Sequence, residues 1–173
     1  GMRLSGLPID EEGIIPDGFE RACKASAVKV LYVLPSGLSP TTAMMGLQRR
    51  RALVEIARRH DVWIVENDAW GPVQPGRPEP LFAIAPERTV YFTGLTKCLL
   101  PGLRIAWLVA PETMVADART RHLVTNWMAT PLMAEIATRW LDDGTAARLL
   151  GWQQKQLARR NAIAAQMLHG LVY

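Results

Sequence analysis

Two short runs of apolar and β-branched residues, Val28-Lys29-Val30-Leu31-Tyr32-Val33-Leu34 and Val62-Trp63-Ile64-Val65-Glu66, flank one stretch of helical periodicity. Each run has the length and composition of a buried strand. Between them, Ala52, Leu53, Ile56 and Ala57 fall on one face of a helix spanning residues 43–60. Thr41 or Thr42 is placed to cap it. Strand, helix and strand in this order predict a parallel pair joined by a right-handed crossover.

The pattern continues along the chain. Further strands are expected at Thr89 to Thr93 and at Arg104 to Val109, and helices at residues 17–23, 123–142 and 145–169. Gly144, between the last two helices, suits a C-cap. The Pro- and Gly-rich residues 71–80 form the main loop. Strands alternating with helices predict an α/β fold, a three-layer sandwich around a mostly parallel sheet. Ligands of such sheets collect at the carboxyl ends of the strands. The functional edge is then made by residues 35–42, 66–70 and 93–104.

Composition narrows the function classes. With 173 residues, 49% hydrophobic and 21% charged, the chain suffices for one domain with a sizeable core. No apolar run is long enough to span a bilayer. Residues 1–4 lack the apolar core of a signal peptide, and Gly1 reads as the scar of a removed tag. Cys23 and Cys98 share no metal-ligand spacing and read as free thiols of a cytoplasmic protein. His60, His122 and His169 are scattered, so no metal site is expected. The cluster Arg49-Arg50-Arg51 with Arg58-Arg59 admits a nucleic-acid contact. No aromatic residues interleave with it, and a solvated helix face is the favoured reading.

The three edge segments carry a resemblance. Pro35-Ser36-Gly37-Leu38-Ser39-Pro40-Thr41-Thr42 resembles a P-x-x-x-N-P-T-G loop, and Glu66-Asn67-Asp68-Ala69-Trp70 resembles an E-D-D-x-Y turn. Thr96-Lys97-Cys98-Leu99-Leu100-Pro101-Gly102-Leu103-Arg104 resembles the S-K-x-x-x-P-G-L-R signature and is the most specific of the three. Together they are similar to the large domain of class I/II aminotransferases, pyridoxal-phosphate fold type I. The flavour is closest to the aminotransferase-like domains of MocR-type, GntR-family transcription regulators. The resemblance implies that residues 2–142 are the second half of the cofactor-binding large domain, and that residues 143–173 are a long helix leading toward a small domain the chain lacks. The fold is therefore expected to be incomplete.

The resemblance also assigns roles. Pyridoxal 5'-phosphate needs an amine, a cation for its phosphate and a partner for its pyridine nitrogen. Lys97 supplies the amine and is the catalytic residue. Arg104 binds the phosphate through its planar fork, with Thr93 and Thr96 as hydroxyl donors. Gly94 stands where the family has a phosphate-binding serine. Asn67 stands where an aspartate meets the ring nitrogen; a neutral amide does not compensate a full positive charge. A one-residue shift would bring in Asp68 instead, and a plain turn at Asn67-Asp68 is the bland alternative. Trp70 replaces a tyrosine and Ser39 an asparagine, both at the ring oxygen; Trp70 is equally readable as a core or interface aromatic.

The expected function is a pyridoxal-phosphate-binding, aminotransferase-like sensor of a GntR/MocR-type regulator. Its expected partners are an amino acid or amine ligand and a second copy in a homodimer. DNA would be reached only through a winged-helix domain outside the chain, and no membrane is involved. Alternatives are a fragment of a functional amino acid aminotransferase, a transaminase if active, or a cofactor-free remnant serving dimerisation.

Overall fold

In the computed structural model, which describes residues 3–169, an N-terminal hairpin of β1 (Ile9–Asp10) and β2 (Gly13–Ile14) leads into helix α1 (Pro16–Ala25). Strand β3 (Val30–Val33) follows, then a small hairpin of β4 (Ser36–Leu38) and β5 (Ala43–Met44), and then helix α2 (Leu47–Arg59). Strand β6 (Trp63–Asn67) runs into a 3-10 turn at Gly71–Val73 and the short helix α3 (Leu81–Ile84). Strand β7 (Thr89–Gly94) passes directly into α4 (Leu95–Cys98), and a 3-10 turn at Pro101–Leu103 precedes β8 (Ala106–Val109). Helices α5 (Glu112–Asn126), α6 (Pro131–Asp142) and α7 (Thr145–Met167) complete the described chain. The ends of the two expected segments, Met2 and residues 170–173, lie outside the described residues.

The main sheet has the order β3-β6-β7-β8. The first three strands are parallel and β8 is antiparallel to β7, so the fold is α/β with a mixed, mostly parallel sheet. The strand–helix–strand unit read from the sequence is β3-α2-β6. Its core joins Leu31, Val33 and Ile64 of the sheet to Leu53, Val54, Ile56 and Ala57 of α2, with Phe19 of α1 and Leu81 of α3. The opposite face is largely uncovered among the described residues, with Val30, Tyr32 and Leu108 exposed. The described residues form the sheet and one helical layer of the expected three. A second core forms behind the carboxyl edge, where Leu95, Cys98, Leu103 and Ile105 meet Ala137 of α6 and Leu150 and Leu157 of α7.

Several boundaries differ from the sequence reading. Residues 36–44 form a hairpin, so α2 starts only at Leu47 and Gly46, not Thr41 or Thr42, is its cap. Thr42 has a left-handed backbone (φ +59°) and lies five residues before the first helical position. The helix expected over 123–142 is two helices, broken where Trp127 takes φ +62° and restarted by Pro131 at the first helical position. Helix α5 buries no residue, which is why its apolar pattern gave no signal upstream of residue 123. Gly144 has φ +77° and serves both ends, lying just past α6 and capping α7.

The basic cluster of α2 is not a solvated face throughout. Arg49 pairs with Asp10 and Glu12, Arg58 with Glu55 and Glu87, and Arg59 with Glu20. Arg50 is fully buried. Glu20 on α1 clamps α2 through His60 and Arg59, and also pairs with Lys24. The hydrogen bond with His60, then that from Arg59, holds its carboxyl well below the usual range, at about 2 instead of 4.5. A depressed carboxylate contributes stability above its unfolded value, and that stability is lost as pH falls through the folded one. Melting temperature should therefore fall between pH 4.5 and about 2, and Glu20→Gln should flatten the fall; equal slopes for both proteins would contradict the clamp.

Candidate functional site

The carboxyl ends of β3, β6 and β7 converge, and side-chain contacts join them. Strand β7 ends in the single turn of α4, whose Leu95 and Cys98 are buried in the second core. That anchoring leaves Lys97 on the solvent side. Its Nζ lies 5.0 Å from the ring centroid of Trp70, which follows β6. An exposed cation over an indole contributes about 0.5–1 kcal/mol. Trp70 in turn packs on the hairpin after β3. A Cβ at Gly37 would come within 3.3 Å of the Trp70 Cβ, and Gly37 has φ +86°, so glycine is required there on both counts. The backbone carbonyl of Lys97 accepts a hydrogen bond from Gln153 Nε2 (3.0 Å), which ties the lysine turn to α7.

Asn67 ends β6 in an Asx turn. Its Oδ1 accepts the Ala69 N–H (3.1 Å), and its Nδ2 donates to the Tyr32 hydroxyl on β3 (2.7 Å). Asp68 does not take its place. Strand alternation sends Asp68 to the covered face, where it is fully buried, accepts the Tyr91 hydroxyl (2.8 Å) and is ion-paired with Arg77 from the main loop. The one-residue shift considered for Asp68 is thereby corrected: turning it to the Asn67 side would break both bonds. Nor is the Asn67-Asp68 pair a plain turn, since Asp68 fastens the loop at residues 71–80 to the sheet.

The remaining residues are more dispersed. Thr93 Oγ1 donates to the Asp68 carbonyl (3.1 Å), so its proton is held within the sheet. Thr96 is half-buried, and Ser39 is exposed two residues beyond Gly37; neither side chain makes a hydrogen bond among the described residues. Arg104 is exposed, precedes β8 and has a left-handed backbone (φ +53°). A non-glycine residue held there costs roughly 1–3 kcal/mol, which surrounding structure must offset. It has no ion-pair partner among the described residues.

Gly94 explains one departure from the family pattern. A Cβ there would lie 2.9 Å from the carbonyl oxygen of Ile105, just before β8, and 3.0 Å from the Cβ of Ala106, the first residue of that antiparallel neighbour. Restoring the family's serine by Gly94→Ser should therefore destabilise the chain by about 1–3 kcal/mol through overpacking. A denaturant midpoint unchanged from the original would contradict this.

A buried network beneath the site went unread in the sequence. Arg50 donates to the carbonyls of Met45, Pro35 and Glu79 and to Ser36 Oγ, and approaches Glu66 Oε1 at 3.9 Å. Glu66 accepts the N–H groups of Leu81 and Phe82 (2.9 Å each). Burial pushes the Glu66 carboxyl above its usual range against those bonds, and burial lowers Arg50 against the attraction of Glu66 and Asp68. Periodicity held the signal. Arg50 stands three and four residues before Leu53 and Val54, on the apolar face of α2, and Glu66 and Asp68 alternate with Ile64 on the covered face of the sheet.

No protein-family model matches the chain. It is 32% identical over 171 residues to an uncharacterized HTH-type transcriptional regulator, YisV, of Bacillus subtilis, covering 97% of this chain and 35% of the relative. It is 27% identical to the mitochondrial kynurenine/alpha-aminoadipate aminotransferase of Bos taurus, covering 99% of this chain and 45% of that protein. The crystal structure of Pyrococcus horikoshii kynurenine aminotransferase, a complex with PMP, superposes with a TM-score of 0.89 at 26% identity, over 96% of this chain and 43% of that one. The chain thus spans between about a third and a half of the length of these two relatives. It is an aminotransferase-like domain with the fold of pyridoxal-phosphate-dependent fold type I.

Proposed function

We propose that this chain is the pyridoxal-phosphate-binding, ligand-sensing module of a GntR/MocR-type transcription regulator. The observation that carries the proposal is Lys97 standing over Trp70 at the carboxyl edge of the sheet, with Asn67 ending β6 three residues before that ring. The residues present fit the cofactor. Lys97 offers an exposed amine, Arg104 an exposed guanidinium for the phosphate, and Asn67 an amide for the ring nitrogen. Thr96 and Ser39 add hydroxyls at the same edge, while Thr93 braces the turn through Asp68. When bound, pyridoxal phosphate supplies a carbonyl that captures amines and a ring that withdraws electrons.

Sensing without turnover is supported by Asn67. Its neutral amide holds no proton on the ring nitrogen, so the ring draws electrons weakly and the ligand is retained rather than transformed. The match to an HTH-type regulator supports the same reading. Its remaining parts are an amino acid or amine ligand, a homodimer in the cytoplasm, and DNA contact through a winged-helix segment outside this chain. No helix among the described residues is long and apolar enough to cross a membrane.

The test is to mix the cofactor-loaded chain with a panel of amino acids, each together with a different 2-oxo acid as amino acceptor, and to follow absorbance and the newly formed 2-oxo acid together. Spectral changes with no more than one equivalent of 2-oxo acid per chain are expected. Sustained multiple turnovers would contradict sensing and favour an aminotransferase.

A further inference from the structure

Tyr32 joins the site from a direction the motifs do not mark. It lies on β3, on the uncovered face of the sheet, and is 53% exposed. Its hydroxyl accepts the Asn67 Nδ2–H at 2.7 Å. The amide's orientation is fixed independently, because Oδ1 accepts the Ala69 backbone N–H and no other atom of the side chain can do so. One lone pair of Asn67 Oδ1 is therefore committed to the backbone, which turns that end of the amide toward Ala69. What the pair offers away from that end is the second hydrogen of Nδ2 and the proton of the Tyr32 hydroxyl, and both are donors.

We infer that Tyr32 and Asn67 form a donor pair that selects a ring nitrogen with a free lone pair. This rests on the reading of the site as a pyridoxal-phosphate site. Tyr32 acts through Asn67 as a positioning residue, turning the free N–H of the amide toward the ligand. An unprotonated pyridine nitrogen accepts that hydrogen bond. A nitrogen carrying a proton or an alkyl group presents no acceptor and leaves a donor facing it. An aspartate at position 67 would reverse the preference. The uncharged ring that results is the physical basis for binding a ligand without processing it.

The experiment compares pyridoxal phosphate with its N-methylpyridinium analogue, titrated by absorbance against the wild-type chain, Tyr32→Phe and Asn67→Asp. The site of attachment is mapped after borohydride reduction. Wild type should prefer pyridoxal phosphate by about tenfold or more, one hydrogen bond's worth of discrimination. Tyr32→Phe should shrink that preference, and Asn67→Asp should invert it toward the analogue. Equal or tighter binding of the analogue by wild type, with attachment on Lys97, overturns the donor pair and leaves the cofactor site standing. A preference unchanged in Tyr32→Phe overturns the role of Tyr32. Failure of both compounds to attach at Lys97 overturns the cofactor site and the inference with it.

Discussion

Arg50→Met is expected to cost about 3–5 kcal/mol of folding stability, because it removes one partner of a buried charged network and leaves Glu66 uncompensated. Domains of this size are stable by about 5–15 kcal/mol, so the variant should be close to unfolded at physiological temperature. The side chain is fully buried and joins α2 to the β3–β4 connection and to the approach to α3. Without it the carbonyl of Met45 loses the Arg50 donor, and that of Pro35 keeps only the Met45 N–H. The Glu66 carboxyl already lies above its usual range through burial, and the loss of Arg50 raises it further. A raised carboxyl contributes stability below its unfolded value that is lost as pH rises through its folded one. The variant should accordingly be less destabilised near pH 4 than near pH 8. Adding Glu66→Gln should recover part of the loss. Chemical denaturation of the three proteins checks this; an Arg50→Met midpoint within error of wild type would contradict it.

Lys97→Ala is expected to abolish covalent cofactor attachment while leaving the fold intact. Lys97 is exposed, and substitutions at such positions usually change stability by no more than about 0.5 kcal/mol. Loss of the contact with Trp70 adds about 0.5–1 kcal/mol at most. The adduct fixed by borohydride should disappear, with the melting temperature nearly unchanged. Mass spectrometry and a thermal melt on one sample separate loss of chemistry from loss of structure. A full-strength adduct in the variant would mean that another lysine reacts.

How far the sequence could be read depended on whether local pattern or long-range packing decided each element. The run at 28–34 and the run at 62–66 were legible as β3 and β6 because their short length and their apolar, β-branched composition are local signals that a window of a few residues detects. The turn at 66–70 and the lysine turn were legible as motifs, and the structure adds the contact between Trp70 and Lys97. The hairpin at 36–44 was not legible. Its threonines carry helix-capping chemistry, and only Arg50, buried beneath and bonded to Pro35 and Met45, requires the chain to turn back there. The direction of β8 was equally hidden, since an antiparallel partner is set by the short connection through Pro101–Leu103 and not by the strand's composition. Arg50, Glu66, Arg77 and Tyr91 escaped because charged and hydroxyl side chains read as solvated until their burial is known. Tyr32 escaped because it lies within an apolar run, and its role depends on a partner on the neighbouring strand.

The central claim is that Lys97 is the anchoring amine of a pyridoxal-phosphate site. The chain holds four lysines, Lys24, Lys29, Lys97 and Lys155, so the point of attachment is resolvable by peptide mapping. Absorbance titration of the purified chain with pyridoxal phosphate, followed by borohydride reduction and mapping, tests the claim most directly. A saturable band with one equivalent of adduct on Lys97 is the expected result. No band, or label spread over Lys24, Lys29 and Lys155, would contradict it and leave an aminotransferase-like fold without its cofactor.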